Sequence, residues 1–254
     1  CGLCLTPVLL GLVLPLLALF AMTLTAGETP FSGKFVGLIG NSVWVASAAA
    51  LVCAAAALWL AYAERLYPQR LVRGGVRVAT LGYAVPGLVL AVALMLPMTS
   101  FDKWIATALR DVLDIRWGLL LTGTSAALIF VYVARFLTVA FNSTQAGLIQ
   151  IHPQLDAAAR SLGHSPGSVL RRVHLPLLRP AILTGLLLVF IDVMKELPAT
   201  LILRPFNFET LATWVYRYAS DERLAEASTA ALAIVLVSLV PTVMLSLSRR
   251  EGTD

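Results

Sequence analysis

Charge is scarce in this sequence: Asp, Glu, Lys and Arg make up 13% of its 254 residues, where a soluble domain carries about 25%. Hydrophobic residues make up 59%, more than one soluble core can hide. Uncharged stretches recur that are long enough to cross a hydrocarbon layer of about 30 Å, which takes about 20 helical residues. An ordinary soluble domain is excluded, and an all-α membrane protein is predicted.

Other absences narrow the function. The basic residues, net +5 over the acidic ones, are spread along short connections and form no arm or stripe, which argues against nucleic acid. No Gly-x-x-x-x-Gly-Lys-Ser/Thr run is present to hold phosphates, so the chain is not expected to bind or hydrolyse ATP itself. Cysteine is limited to Cys1, Cys4 and Cys53. The Cys1–Cys4 pair has no second pair or nearby histidine to complete a metal site, and packing is the better reading. His152, His164 and His174 are too widely spaced for a ligand set, so surface or interface roles are expected. No internal repeat, low-complexity tract or soluble domain is evident. The missing initiator Met suggests a fragment of a longer chain.

Six spans are predicted, over residues 3–24, 43–62, 78–98, 117–134, 181–203 and 227–247. The first lacks the basic leader and short apolar core of a signal peptide. Trp44, Trp59 and Tyr62 sit near the ends of the second, where amphipathic rings prefer the interface. Phe101, Ile105, Leu109 and Val112 recur at helical spacing among charges, which predicts a short helix lying in the interface. The whole of 1–254 reads as one transmembrane domain with a long connection at about 139–179.

Lys and Arg set the orientation. Arg65, Arg70, Arg73 and Arg77 lie in one connection, Arg135, Arg160, Arg171, Arg172 and Arg179 in the long one, and Arg249 and Arg250 in the tail. Those eleven face seven on the alternate side, Lys34, Lys103, Arg110, Arg116, Arg204, Arg217 and Arg223. Both termini and the long connection are expected in the cytoplasm.

The long connection carries Asp156-Ala157-Ala158-Ala159-Arg160-Ser161-Leu162-Gly163-His164-Ser165-Pro166, running on to Val173-His174-Leu175-Pro176. Alanines favour a first helix, and Asp156 with Arg160 makes an i,i+4 pair. Gly163 suits the left-handed residue that ends it. Ser165 can cap a second helix, and Pro166 fits its first turn. A bent helical elbow is predicted, with small alanines on an outer face that another protein could approach closely.

This stretch resembles the cytoplasmic signature of binding-protein-dependent importer permeases: Glu-Ala-Ala, three residues, Gly, nine residues, then Ile-x-Leu-Pro. Gly163, Ala158, Ala159 and Val173 to Pro176 fall on its elements, while the acidic position falls on Ala157, with Asp156 one place earlier. The resemblance implies a type I ABC importer permease fold and an elbow, Asp156 to Ala159 with Gly163 to Pro166, that docks in a groove of a separate ATPase subunit. ATP is then the partner's cofactor, and this chain binds none.

Asp192, Lys195 and Glu196 interrupt the fifth span, and a charge at the centre of a spanning helix costs about 2.5–3.5 kcal/mol. Spacings of three and four place them on one helical face, with Lys195 able to pair with Asp192 and Glu196 close to both. They read either as a structural ion pair or as a wall of the translocation path. The run from Met194 to Thr213, with Ala219 to Glu226, is similar to ferric iron permeases, and Tyr83-Ala84-Val85-Pro86-Gly87 matches importers more broadly. That similarity implies ferric iron as cargo, a periplasmic iron-binding protein and ATP-binding subunits as partners, Pro86 and Gly87 on the path, and a bacterial inner membrane location. Such permeases are commonly two such halves in one chain, so this piece is expected to be the second. Alternatives are an importer for thiamine, polyamine or another small solute, and a secondary transporter with Asp192 or Glu196 as ion site.

Overall fold

The structure is a computed structural model, and it describes residues 2–26, 32–113 and 121–248. Residues 117–120 of the predicted fourth span, Cys1, Arg249 and Arg250 lie outside them. Among the described residues all regular structure is helical, and six helices are long and apolar enough to cross a membrane.

The first span is built from α1 (Gly2–Val8), a π-helical turn (Leu9–Val13) and α2 (Leu14–Ala26). Next come α3 (Gly33–Leu66) and a short amphipathic α4 (Arg70–Ala79), which carries Arg70, Arg73 and Arg77. Two further spans are α5 (Gly87–Leu113) and α6 (Ser125–Gln150). The elbow is α7 (Pro153–Ser161) with α8 (Pro166–Val169), and α8 runs through a π-helical turn into α9 (Leu175–Met194). Short α10 (Pro198–Leu203) and α11 (Leu211–Ser220) precede the last span, α12 (Leu224–Ser248).

The centre is the packing of α3, α6 and α9 against one another, with α12 laid against α2 and α11. Bilayer lipid is as apolar as leucine, so close van der Waals fit holds such helices together rather than expulsion from water. Small residues permit it. Ala46, Ala49, Ala50, Cys53 and Ala57 of α3 are fully buried, as are Leu128 and Val131 of α6. A Cβ on Gly147 of α6 would come within 2.5 Å of the Ala181 Cβ on α9. The opposite faces carry exposed leucines and aromatics such as Leu10, Leu17, Phe20, Trp59 and Leu236, as lipid contact requires.

Three predicted boundaries move. The third span does not run from residue 78: α4 stops at Ala79, and a 3₁₀ turn at Gly82–Ala84 leads to Val85, extended at φ −87° and ψ 130°. Pro86 drives that residue out of the α region. The helix then continues unbroken through Phe101, Ile105 and Leu109 to Leu113, so the predicted interfacial helix is the end of α5. Its buried Asp102 accepts from the backbone N–H groups of Leu121 and Thr122, pinning the entry to α6.

α6 itself extends to Gln150, which brings Arg135 out of the predicted cytoplasmic connection and into the middle of a span. The basic count on that side falls from eleven to ten, against seven.

Candidate functional site

The fifth predicted span breaks where its charges lie. α9 ends at Met194, and Pro198 begins α10. A proline has no N–H to return to the preceding turn and its ring crowds that turn's carbonyl, which favours a break here, although α9 itself runs through Pro180. Lys195, Glu196 and Leu197 form the interruption, and the three charges therefore do not share one helical face. Lys195 pairs with Asp192 at 2.9 Å on the rim, its side chain 63% exposed.

Glu196 turns the other way, into the bundle, where its side chain is 7% exposed. It accepts from the Arg135 guanidinium at 3.1 Å and from the Ala199 N–H at 3.2 Å. Thr200 donates to the Glu196 carbonyl, and the Tyr132 hydroxyl meets Thr200 Oγ1. The interruption thus finds partners for its polar groups within the protein, as non-helical backbone at membrane depth must.

Gly87 opens α5 directly against this pair. A Cβ there would lie 1.5 Å from Arg135 Nη1 and 2.6 Å from Glu196 Oε1, so only glycine lets the guanidinium reach the carboxylate. Gly82 performs a related task, since its Cβ would lie 1.8 Å from the Ala134 carbonyl oxygen. Of the five residues expected on the path, the structure gathers Gly87 and Glu196 around Arg135, places Asp192 and Lys195 on the rim, and leaves Pro86 exposed beside Gly87. Arg135 was legible only as a loop charge, because its pairing joins residues 61 positions apart.

The elbow forms as a helix, a turn and a helix. Gly163 adopts φ +80°, and the His164 N–H bonds the Ala159 carbonyl at 3.1 Å, closing α7. Pro166 starts α8, and Ser165 holds the N-cap position without its hydroxyl bonding. His164 lies half-buried in the turn. Ala157 and Ala158 face outward with Arg160 and Leu162, the last 78% exposed, whereas Ala159 faces in.

Asp156 does not pair with Arg160. It turns inward to Arg65 at 2.8 Å and His174 Nε2 at 2.5 Å. Arg65 also donates to the carbonyls of Leu148 and Ile151, capping the end of α6. Tyr62 donates to the Pro166 carbonyl at 2.7 Å and packs its ring on His174. Of the surface or interface roles expected for it, His174 does not take the surface one: it is fully buried, because the π-helical turn before α9 directs it under the elbow. Burial opposes ionisation of Asp156, but the Arg65 and His174 hydrogen bonds and charges outweigh it and hold the carboxyl below the usual range.

A third polar region lies at the far end of α3, whose 34 residues span about 50 Å at about 1.5 Å each. There Gly33, Lys34, Asn41, Arg204, Phe206, Glu209 and Arg217 contribute to the lining of a cleft of about 710 Å³. In the sequence its cations were legible only as topology signals.

A polytopic helical bundle with an interrupted span and an internal ion pair at the break is an architecture in which membrane transport proteins build their paths. Residues 54–250 match the family of binding-protein-dependent transport system inner membrane components. The chain belongs to that family, and it is a multi-pass inner membrane protein with the type I ABC importer permease fold.

Among curated relatives, the Fe(3+)-transport system permease protein FbpB 2 of Haemophilus influenzae is 31% identical over 212 residues, 84% of this chain and 39% of that protein. The ferric transport system permease protein FbpB of Actinobacillus pleuropneumoniae is 26% identical over 238 residues, 89% of this chain and 34% of that one. The putative 2-aminoethylphosphonate transport system permease protein PhnV of Salmonella typhimurium is 35% identical over 120 residues, 47% of this chain and 43% of that one. The chain spans less than half the length of each. Among solved structures, a bacterial ABC transporter that imports the acidic polysaccharide alginate superposes with a TM-score of 0.71 at 17% identity, covering 97% of this chain and 92% of that one. The MetNI methionine ABC transporter gives 0.59 at 17%, covering 88% and 100%.

Proposed function

We propose that this chain is half of the permease of an ATP-driven ferric iron importer, receiving cargo from a periplasmic iron-binding protein. The elbow carries the reading. Its outward face presents the small Ala157 and Ala158 beside exposed Arg160 and Leu162, while every charged contact of Asp156 is turned inward. An external protein can therefore seat against the alanines without breaking the contacts that hold the elbow. The occupant is a cytoplasmic ATPase subunit, and the elbow side, with both termini, is cytoplasmic. A second permease half completes the path beside the Asp192–Lys195 rim.

The alternative of a secondary transporter is less well supported, since Glu196 already holds Arg135 and Asp192 already holds Lys195. The ferric relatives favour iron over thiamine or polyamine. The phosphonate permeases supply a competing cargo.

The test is uptake into proteoliposomes holding the complete importer, its ATPase subunits and its binding protein. Ferric iron should accumulate only with hydrolysable ATP, and labelled 2-aminoethylphosphonate should not accumulate. Accumulation driven by a proton gradient alone would overturn the reading.

A further inference from the structure

We propose that the cleft at the start of α3 binds a small tetrahedral oxyanion, so that cargo enters the path as an anion or as a cation escorted by one. This deepens the importer reading and rests on it for the direction of transport, but the binding itself does not depend on it.

Room and charge point the same way. The cleft measures about 710 Å³, within the size range of small-molecule sites, about 300–1,000 Å³. Gly33 and Gly37 form part of its wall, with nothing within 4 Å of where a Cβ would stand, so a ligand can approach the backbone. Among the described residues Lys34, Arg204 and Arg217 line it against one carboxylate, Glu209. Three positive charges less one negative leave two. The N-terminus of a 34-residue helix, α3, opens there and adds its positive end.

The cations are positioned rather than scattered. Trp214 is fully buried, and its ring holds Lys34 Nζ at 4.3 Å and the Arg217 guanidinium at 4.2 Å. Arg217 also lies 5.5 Å from the Tyr218 ring. Two like charges are thereby kept on one indole, which cation–π attraction favours and an anion between them would favour further. Glu209 already shows the recognition: its Oε1 meets Arg217 at 2.5 Å and Arg204 at 3.5 Å. Asn41 donates to the Glu209 carbonyl and fixes that residue's backbone. Among the described residues Lys34 has no ion-pair partner.

A forked guanidinium and an ammonium suit phosphate-like oxygens. A bare ferric ion would meet a net positive field here. Among the described residues no group of three His, Cys, Asp or Glu side chains stands ready to ligate it. A cleft of this volume, two of whose three cations meet on one indole, suits a small oxyanion better than the broad acidic face of a protein.

The test is calorimetric titration of the full-length permease, purified in detergent without its ATPase subunits so that no nucleotide site contributes. Inorganic phosphate is compared with chloride at equal ionic strength. Saturable phosphate binding is expected, weakened about tenfold in Lys34→Gln and in Arg204→Gln, and tightened about tenfold in Glu209→Gln. A damaged protein does not gain affinity, so the last variant guards against misfolding. Phosphate heats equal to those of chloride, or affinities unmoved by all three changes, would overturn the proposal. So would variants that weaken capture of the periplasmic binding protein while phosphate fails to bind, which would make the cleft a protein dock. Capture of ATPase subunits at the elbow tests the importer reading separately, so either claim can fail alone.

Discussion

Arg65, in the last turn of α3, and Asp156, in the first turn of α7, are 91 positions apart in sequence and meet at 2.8 Å. Arg65 ties the elbow to the end of α6 as well. Any force applied to α7 is therefore delivered to α3 and α6 together, and through His174 to the start of α9.

The Asp156 carboxyl titrates below its ordinary value, so its contribution is complete above the unfolded value of about 3.9 and is lost as pH falls through the lower folded value. Amide protection of α7, corrected for intrinsic exchange, should fall as pH drops below about 4. In Asp156→Asn it should already be reduced about tenfold at neutral pH. Protection unchanged by that substitution would show that the contact does not hold the elbow.

Arg135 and Glu196 are a largely buried pair, and removing one partner strands the other at a cost of up to about 3–5 kcal/mol. Arg135→Met alone should lower thermal stability more than Arg135→Met with Glu196→Gln. Equal losses in the single and double variants would mean that the two do not interact.

Gly87→Ala puts a methyl where the Arg135 guanidinium lies, 1.5 Å from Nη1. Membrane abundance should stay near normal while uptake falls at least about tenfold, the ion pair being displaced. Gly75→Ala, in α4 with nothing within 4 Å, is the control and should gain up to about 1 kcal/mol in stability.

Six spans and a helix-turn-helix elbow were legible because local chemistry writes them. Apolar length sets the spans, and Gly163 before Ser165-Pro166 sets the turn. What escaped was long-range. The phase of α6 decides that Arg135 points into the bundle, and the α9 interruption decides that Glu196 meets it; neither follows from spacing within one segment. Pro198 did announce that interruption, and reading 181–203 as continuous passed over it. Asp156 read as the helical partner of Arg160 and His174 as a surface or interface residue, and their pairing depends on the π-helical turn that rotates one beneath the other.

Orientation is testable in a background freed of Cys1, Cys4 and Cys53. Single cysteines at Arg73 and Leu162 should be shielded from an impermeant thiol reagent in intact cells, and one at Phe206, 93% exposed, should react. The reverse pattern would invert the topology.

The central claim is that the elbow transmits ATP hydrolysis, and Gly163→Val tests it most directly. Gly163 stands at φ +80° with no neighbour within 4 Å of a Cβ, so the substitution meets no steric obstacle and acts through the backbone alone. A left-handed conformation costs a side-chain-bearing residue about 1–2 kcal/mol and a β-branched one more, which should reset the angle between α7 and α8. Co-purification of the ATPase subunits with the permease is the measurement. The variant should insert at normal abundance but lose most of its bound ATPase; ATPase recovered at the wild-type ratio, with transport intact, would remove the coupling role from the elbow.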